Sequence, residues 1–240
     1  MRPAAILWDY DGTLVDSAVK NRVVTIQLLK RFDPDIERHL PPALQSVEAY
    51  RQANLRWSSW KEVFRREYGL TLPQLEEAGR LWSGYQREDP LQPPLFCGLR
   101  DVLPRLAALA PMGICSRNSS ENIRTTLRRY GVEACFGAVI GYDELPPEQQ
   151  KPDPAGYLEC LRRLGVQGGE GLLYYIGDNR SDVQFARAAA EQLQAQGVLV
   201  QMCCVTARFG DRLCVTQETG ADACAAQPEE LLSLPGLSST

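Results

Sequence analysis

The sequence predicts an α/β fold in which a parallel β-sheet is covered by helices on both faces, with an all-helical segment inserted after the first strand. Two observations indicate this fold. Short, continuous apolar runs recur along the chain with helical patterns between them, as in right-handed βαβ units. Between the first and second runs, from residue 17 to residue 89, the strand signal disappears and the composition is helical.

The first predicted strand, residues 4–8, ends at Asp9-Tyr10-Asp11-Gly12, which is typical of a buried strand that enters a tight turn. Further strands are expected at residues 112–115, 138–140, 172–176 and 198–205. Because ligands bind beyond the carboxyl ends of parallel strands, the polar residues after these runs are the candidates for chemistry.

Helices are expected between the later strands. Ile123 and Leu127 share one helix face, and Gly131 stands where a glycine commonly ends a helix. A second helix of this kind is expected at residues 157–164, followed by Gly165.

The helical segment is expected to form a small domain of its own. A stiff, proline-rich linker at residues 89–94 bounds it downstream. We expect residues 1–15 and 95–240 to form the α/β core and residues 16–94 to form the helical domain, a candidate lid. Hinges are expected at residues 14–17 and 91–95, so that the lid closes over a substrate.

Three aromatic residues of this segment, Trp57, Trp60 and Phe64, lie three and four positions apart. This spacing predicts that they share one face of a helix. Packing of the small domain is the favoured interpretation, and stacking against a substrate is the alternative.

Composition excludes several classes of protein. The 26 Lys and Arg against 30 Asp and Glu give a net charge of −4, and no basic run offers a nucleic-acid surface. No apolar stretch approaches the roughly 18 residues of a membrane helix, and the N-terminus lacks a signal-peptide pattern. We therefore expect a cytoplasmic protein that binds neither nucleic acids nor membranes. The single histidine, His39, disfavours a Ser-His-Asp triad and a His-rich metal site.

Paired carboxylates follow the first strand. Asp9 and Asp11 are two positions apart, so their side chains begin on the same side of the chain, and Gly12 allows a close backbone turn past a ligand. Two carboxylates this close repel each other unless a cation or a proton lies between them. Taken alone, Asp-Gly after a strand is equally compatible with ordinary turn chemistry.

Later segments add polar groups at further strand ends. Ser116 ends the second apolar run, Lys151 follows the third strand and its loop, and Asp178 and Asp182 lie between the fourth strand and a helix. Each alone has an ordinary interpretation, as a helix cap or an exposed charge. Together with the aspartates after the first strand, they would bring carboxylates, a hydroxyl and an ammonium to one edge of the sheet.

These motifs resemble those of the haloacid dehalogenase superfamily. The matching residues are Asp9 through Ser17 (Asp-Tyr-Asp-Gly-Thr-Leu-Val-Asp-Ser), Ser116, Lys151-Pro152-Asp153-Pro154, and Gly177-Asp178 through Asp182. The sequence is most similar to the phosphatase branch, the phosphoglycolate-phosphatase-like proteins with a helical cap after the first motif. The resemblance covers nearly the whole chain and implies a Rossmann-like core with a helical cap domain at residues 16–94.

The resemblance implies a Mg²⁺-dependent phosphatase that acts through an aspartyl-phosphate intermediate. Asp9 would attack phosphorus, and Asp11 would protonate the leaving oxygen and then activate water. The physical chemistry agrees, because a carboxylate with its usual pKa of about 4 is already ionised at neutral pH. The implied substrate is a small phosphorylated metabolite, with phosphoglycolate as the first candidate. The oligomeric state is left open.

The resemblance also implies the binding residues. Mg²⁺ would be held by Asp9, the Asp11 carbonyl and Asp178, with Asp182 either supporting the site through water or binding the ion directly. The phosphate would be bound by the residues that follow the first three strands, namely Gly12, Ser116, Arg117 and Lys151. Arg117 departs from the family, which often has Asn there, and it would either add a phosphate contact or face solvent.

Alternative functions remain at this point. A dehalogenase normally lacks the second aspartate of the first motif, so Asp11 disfavours that activity. A phosphotransferase or sugar-phosphate mutase keeps both aspartates, and a phosphorylated product that requires a bisphosphate primer would identify one. A non-catalytic binding or regulatory relative would turn over no phosphomonoester of a broad panel.

Overall fold

The computed structural model describes residues 3–57, 59–166, 171–209 and 216–237, with the backbone alone at residues 217 and 218. The chain divides into two compact units. One unit comprises Met1–Val15 and Leu95–Thr240, and the other comprises Asp16–Pro94. Each unit has its own buried apolar core.

The first unit is built on a parallel sheet, with six strands among the described residues. The strands are β1 (Pro3–Trp8), β2 (Met112–Cys115), β3 (Ala138–Ile140), β4 (Gly171–Gly177), β5 (Val200–Ala207) and β6 (Ala223–Ala225). Their order across the sheet is β3-β2-β1-β4-β5-β6. The predicted strands are confirmed, with ends shifted by at most two residues, whereas β6, a short Ala-Cys-Ala strand, was not predicted.

The central strands end at the same level of the sheet. Trp8, the last residue of β1, pairs with Ile114 in β2 and with Ile176 in β4. Both faces of β1 and β4 are covered, so these strands are almost continuously apolar. The register therefore brings the residues after β1, β2 and β4 to one edge.

The second unit is helical. Its helices are α1 (Ala18–Leu29), α2 (Val47–Arg56), α3 (Trp60–Tyr68) and α4 (Leu72–Glu88). Leu28, Tyr50, Phe64 and Leu75, one from each helix, belong to a single buried apolar cluster. This shared cluster explains why helices of modest length are stable together.

The prediction that Trp57, Trp60 and Phe64 share one helix is wrong. Helix α2 ends before Trp57, whose backbone is extended, and Ser59 begins a new helix by accepting a hydrogen bond from Glu62 N. The favoured interpretation, that these residues pack the small domain, agrees with the structure, because all three rings belong to or pack against the apolar cluster of the unit.

Further helices cover both faces of the sheet. They are α5 (Leu99–Ala107), α6 (Ser120–Tyr130), α7 (Ala155–Arg163), α8 (Arg180–Ala195) and the short α9 (Thr216–Thr219). α5 and α6 contribute to the apolar cluster on one face, and α7 and α8 contribute to the cluster on the other. Gly131 ends α6 with a positive φ of 71°, as predicted.

The part of the chain that the structure describes contains no helix long and apolar enough to cross a membrane. The seven cysteines in that part are free thiols, and the eighth, Cys214, lies outside the described residues.

Candidate active site

Three carboxylates meet beyond the carboxyl ends of β1 and β4. Asp9 follows β1, Asp178 follows β4, and Asp182 lies in the first turn of α8. One oxygen from each lies within 4.8 Å of the others, and no other group of this kind occurs among the described residues. Carboxylate oxygens in this arrangement are suitable ligands for a hard divalent cation.

Lys151 joins this acidic cluster from the loop before α7. Its Nζ donates hydrogen bonds to Asp9 Oδ1 at 2.7 Å and to Asp182 Oδ1 at 2.9 Å. The lysine side chain is only 6% exposed, so these ion pairs are shielded from water. Shielding strengthens each pair but also makes the charges costly to bury.

The electrostatic balance of the cluster favours an additional cation. Burial raises the pKa of Asp9 to about 7, against the opposing effect of Lys151, so Asp9 lacks the ordinary pKa of about 4 that was expected from the sequence. Burial raises the pKa of Asp178 well above its usual value, and the charges of Asp182 and Asp9 add to that effect. One ammonium therefore does not offset three carboxylates, and a divalent cation fits the residues present.

Lys151 itself remains charged. Burial lowers its pKa, but the negative charges of Asp182 and Asp9 and the hydrogen bonds to them raise it by more, so that its pKa lies above the ordinary value. A positively charged ammonium beside Asp9 would attract a phosphate dianion that approaches this carboxylate.

Gly12 permits the close approach between the first turn and Asp178. Its φ is +81°, and a Cβ placed on it would collide with the carboxylate of Asp178. The turn is closed by hydrogen bonds from Gly12 N to Val15 O and from Leu14 N to Tyr10 O, each 2.9 Å long. Glycine is required here both for its backbone conformation and for its lack of a side chain.

Asp11 lies beside the cluster without joining it. Its Oδ2 accepts a hydrogen bond of 2.9 Å from Asn118 Nδ2, and the group of three carboxylates does not include it. The predicted use of its backbone carbonyl, rather than its carboxylate, for a metal stays a prediction. The Asn118 contact is a feature that the sequence pattern did not indicate, because Asn at the start of a helix is ordinarily a cap.

The loop after β2 holds two of the predicted phosphate-binding residues, Ser116 and Arg117. Ser116 is buried, and its Oγ accepts a hydrogen bond from Asn118 N at 3.2 Å. Arg117 is exposed and makes no ion pair with any described residue, and its positive charge slightly opposes the rise that burial causes in the pKa of Asp178. Ser119 caps α6 by accepting a hydrogen bond from Asn122 N. The structure thus leaves the Arg117 guanidinium available near the acidic cluster.

The start of α8 fixes Asp182. Asn179 is the N-cap, and Asp182 Oδ2 accepts a hydrogen bond from the Asn179 backbone N at 3.1 Å in a capping box. Gly177 leaves space for the Asp182 side chain, which a Cβ at position 177 would overlap. Asp182 therefore acts at once as part of a helix cap and as a partner of Lys151.

Two aromatic residues that the sequence reasoning did not identify lie against Lys151. Its Nζ is 5.0 Å from the ring centroid of Tyr175 and 5.1 Å from that of Phe185. Tyr175 lies in β4, and Phe185 follows Asp182 by three positions in α8, so Asp182 and Phe185 share a helix face. That spacing is the signal that could have pointed to Phe185.

The comparisons with known proteins identify the family. Residues 3–190 match the family model described as hydrolase, haloacid dehalogenase-like hydrolase, and the chain belongs to this family. The chain is also similar in sequence to phosphoglycolate phosphatases over more than three quarters of its length. It is 29% identical over 198 residues to phosphoglycolate phosphatase of Pseudomonas putida, covering 79% of this chain and 68% of the relative. It is 31% identical to phosphoglycolate phosphatase of Cereibacter sphaeroides, covering 77% and 80%, respectively.

Solved structures share the fold. A haloacid dehalogenase-like hydrolase from Bacteroides fragilis aligns with a TM-score of 0.70 at 22% identity, over 96% of this chain and all of the other. CbbY from Rhodobacter sphaeroides, in complex with xylulose-1,5-bisphosphate, aligns with a TM-score of 0.65 at 19% identity, over 99% of this chain and 100% of the other. The family membership and these relatives together establish a phosphatase of the haloacid dehalogenase type.

Proposed function

We propose that this phosphatase hydrolyses a small phosphomonoester in a Mg²⁺-dependent reaction through an aspartyl-phosphate on Asp9. The observation that carries the proposal is the cluster of Asp9, Asp178 and Asp182 with the Lys151 ammonium bridging two of them. The second aspartate of the first motif, Asp11, supplies the acid-base group that hydrolysis needs.

Asp9, the Asp11 backbone carbonyl and Asp178 are the proposed Mg²⁺ ligands, and Asp182 supports them either directly or through water. When bound, Mg²⁺ would offset the repulsion between the carboxylates and a phosphate dianion. The raised pKa values of Asp9 and Asp178 support this assignment, since the neighbouring carboxylates repel one another without a cation.

The proposed chemistry uses the two aspartates in turn. A carboxylate oxygen of Asp9 forms a bond to phosphorus as the bond to the leaving oxygen breaks, and Asp11 gives its proton to that oxygen. Asp11 then takes a proton from water, whose oxygen bonds to phosphorus and releases Asp9 and inorganic phosphate. Asn118, which donates to Asp11 Oδ2, would orient this acid-base group.

Lys151, Ser116, Gly12 and Arg117 are the proposed phosphate-binding residues. The Lys151 ammonium lies within 2.7 Å of the proposed nucleophile, so it would contact a phosphate bonded there. The exposed guanidinium of Arg117, which makes no ion pair with a described residue, is suited to a second anionic group of a substrate. Phosphoglycolate carries such a group, a carboxylate, and it is the first candidate substrate.

The helical unit Asp16–Pro94 is proposed to act as the substrate-selecting cap. Its insertion directly after the first motif, as a compact unit with its own core, supports this role. Exchanging residues 16–94 for the matching segment of a relative with another substrate should change substrate preference but leave the dependence on Mg²⁺ and Asp9. Unchanged preference would contradict the role.

The test of the main proposal is hydrolysis of p-nitrophenyl phosphate and a phosphomonoester panel that includes phosphoglycolate and a sugar bisphosphate. Each substrate is assayed with Mg²⁺ and with chelator, for the wild type, for Asp9→Asn and for the control Asp101→Asn in α5. We expect Mg²⁺-dependent turnover that survives Asp101→Asn and is lost in Asp9→Asn. Turnover that survives Asp9→Asn would exclude the aspartyl-phosphate mechanism.

A further inference from the structure

Three buried aromatic rings form a cluster, and two of them, Tyr175 and Phe185, lie against the Lys151 ammonium. Tyr157, Tyr175 and Phe185 are each at most 1% exposed, and their ring centroids are 5.4–5.8 Å apart in every pair. The Tyr175 ring is held further by a hydrogen bond of 3.1 Å from its hydroxyl to Cys115 O. The rings are therefore fixed by packing from β4, α7 and α8, elements of one unit.

From this geometry we propose that the rings of Tyr175 and Phe185 form an aromatic platform that positions the Lys151 ammonium for catalysis. The proposal rests on the proposed function of Lys151, and it assigns these two rings as positioning residues. Both centroids lie within the range of about 6 Å in which a ring face attracts a cation.

Lysine needs such support at this position. Its side chain is flexible and strongly hydrated, and here it is almost completely removed from water. Hydrogen bonds to Asp9 and Asp182 use two of its three N–H groups. The ring faces stabilise the ammonium in addition to these two hydrogen bonds.

An aromatic platform also suits the charge of the reaction. A further carboxylate beside Asp9 and Asp182 could also hold the lysine, but it would add negative charge to a site that must receive a phosphate dianion. The ring quadrupole attracts a cation without adding net charge. Tyr175 and Phe185 can therefore hold Lys151 without opposing substrate binding.

The test replaces Phe185 with phenylalanines that carry one, two and three ring fluorines. Fluorination withdraws electron density from the ring face and leaves its shape almost unchanged, so a packing role would not respond in steps. We expect kcat to fall progressively by about 3- to 30-fold across the series. The same series at Phe136, a buried ring in the apolar cluster of the opposite face, should leave kcat unchanged.

A second readout does not need activity. Protons above a ring face resonate upfield, so the ε-methylene of Lys151 should be shifted upfield in NMR spectra of the wild type and should return toward its ordinary position in Phe185→Leu. The resonance is assigned by its loss in Lys151→Arg.

The outcomes separate the two proposals. Constant kcat across the Phe185 series, in a protein whose activity requires Asp9, overturns the platform and leaves the proposed function intact. A protein without phosphatase activity contradicts the proposed function, and an ε-methylene without an upfield shift then overturns the platform as well.

Discussion

Gly12 lies where the turn after β1 comes closest to Asp178 of the acidic cluster. The turn after β1 and the end of β4 approach so closely that a side chain at residue 12 would occupy the place of the Asp178 carboxylate. Gly131, at the end of α6, has a similar positive φ of 71° but open space around it. A substitution at Gly131 therefore introduces backbone strain alone, whereas the same substitution at Gly12 adds a clash with Asp178.

We predict that Gly12→Ala lowers kcat/KM by about 100-fold or more, because displacing Asp178 misplaces a proposed metal ligand. Gly131→Ala should lower the free energy of unfolding by about 1 kcal/mol through its left-handed backbone, with unchanged activity. Denaturant unfolding and phosphatase assays of both variants provide the check. Equal activity losses in the two variants would show that strain alone explains the effect.

Residue identities at the site were predictable to different degrees. The structure brings together Asp9, Asp178 and Asp182, because each follows a strand or opens a helix at a position that the apolar runs define. Lys151 reaches them from the loop before α7. The partner of Asp11 was not predictable, because either Asn118 or Ser119 could have capped α6. The path of the loop after β2 places Ser119 at the cap of α6 and leaves the Asn118 side chain to donate to Asp11.

At the element scale, α7 carries an exposed ion-pair network. Glu159 accepts hydrogen bonds from Arg162 and Arg163, which lower its pKa to about 2. Arg163 also pairs with Glu144 at 2.6 Å and so connects α7 to the preceding loop. Because the network is accessible to water, its contribution to stability is expected to be small.

We predict that Glu159→Gln lowers the free energy of unfolding by about 0.5 kcal/mol at pH 7. The pKa of Glu159 is lower in the folded protein than in the unfolded chain, so its stabilisation is complete above about pH 4.5 and disappears as the pH falls toward 2. Denaturant unfolding at several pH values between 7 and 3 measures this difference. The exposed Glu148→Gln serves as the control, and a Glu159→Gln difference that does not shrink in acid would contradict the assignment.

Element boundaries followed from the sequence where an apolar run or a glycine marks them. β2 and β3 have the predicted ends, and Gly131 ends α6. The break between α2 and α3 was missed because aromatic spacing continues across it, and the cap at Ser59 decides the boundary instead. β6 was missed because it consists of Ala, Cys and Ala, and alanine is uncommon in strands, so that only its pairing with β5 identifies it.

For the whole molecule, the acidic cluster costs stability. The apolar clusters on the two faces of the sheet hold β1 and β4 in register, and this register forces Asp9, Asp178 and Asp182 together although their charges repel. The stability of the fold and the charge of the site therefore oppose each other in the absence of a cation. Metal binding should consequently be visible in the stability of the whole chain.

We predict that Mg²⁺ at about 100 times its dissociation constant stabilises the protein by about 2.7 kcal/mol, which raises Tm by several degrees. Asp178→Asn should abolish this Mg²⁺ response and raise Tm in chelator, because burial and the neighbouring carboxylates oppose the charge of Asp178. Asp101→Asn, at an exposed position in α5, should keep the wild-type response. Calorimetry with Mg²⁺ and with chelator measures all three proteins. A lower Tm of Asp178→Asn in chelator would contradict the argument, since the aspartate would then stabilise the metal-free fold.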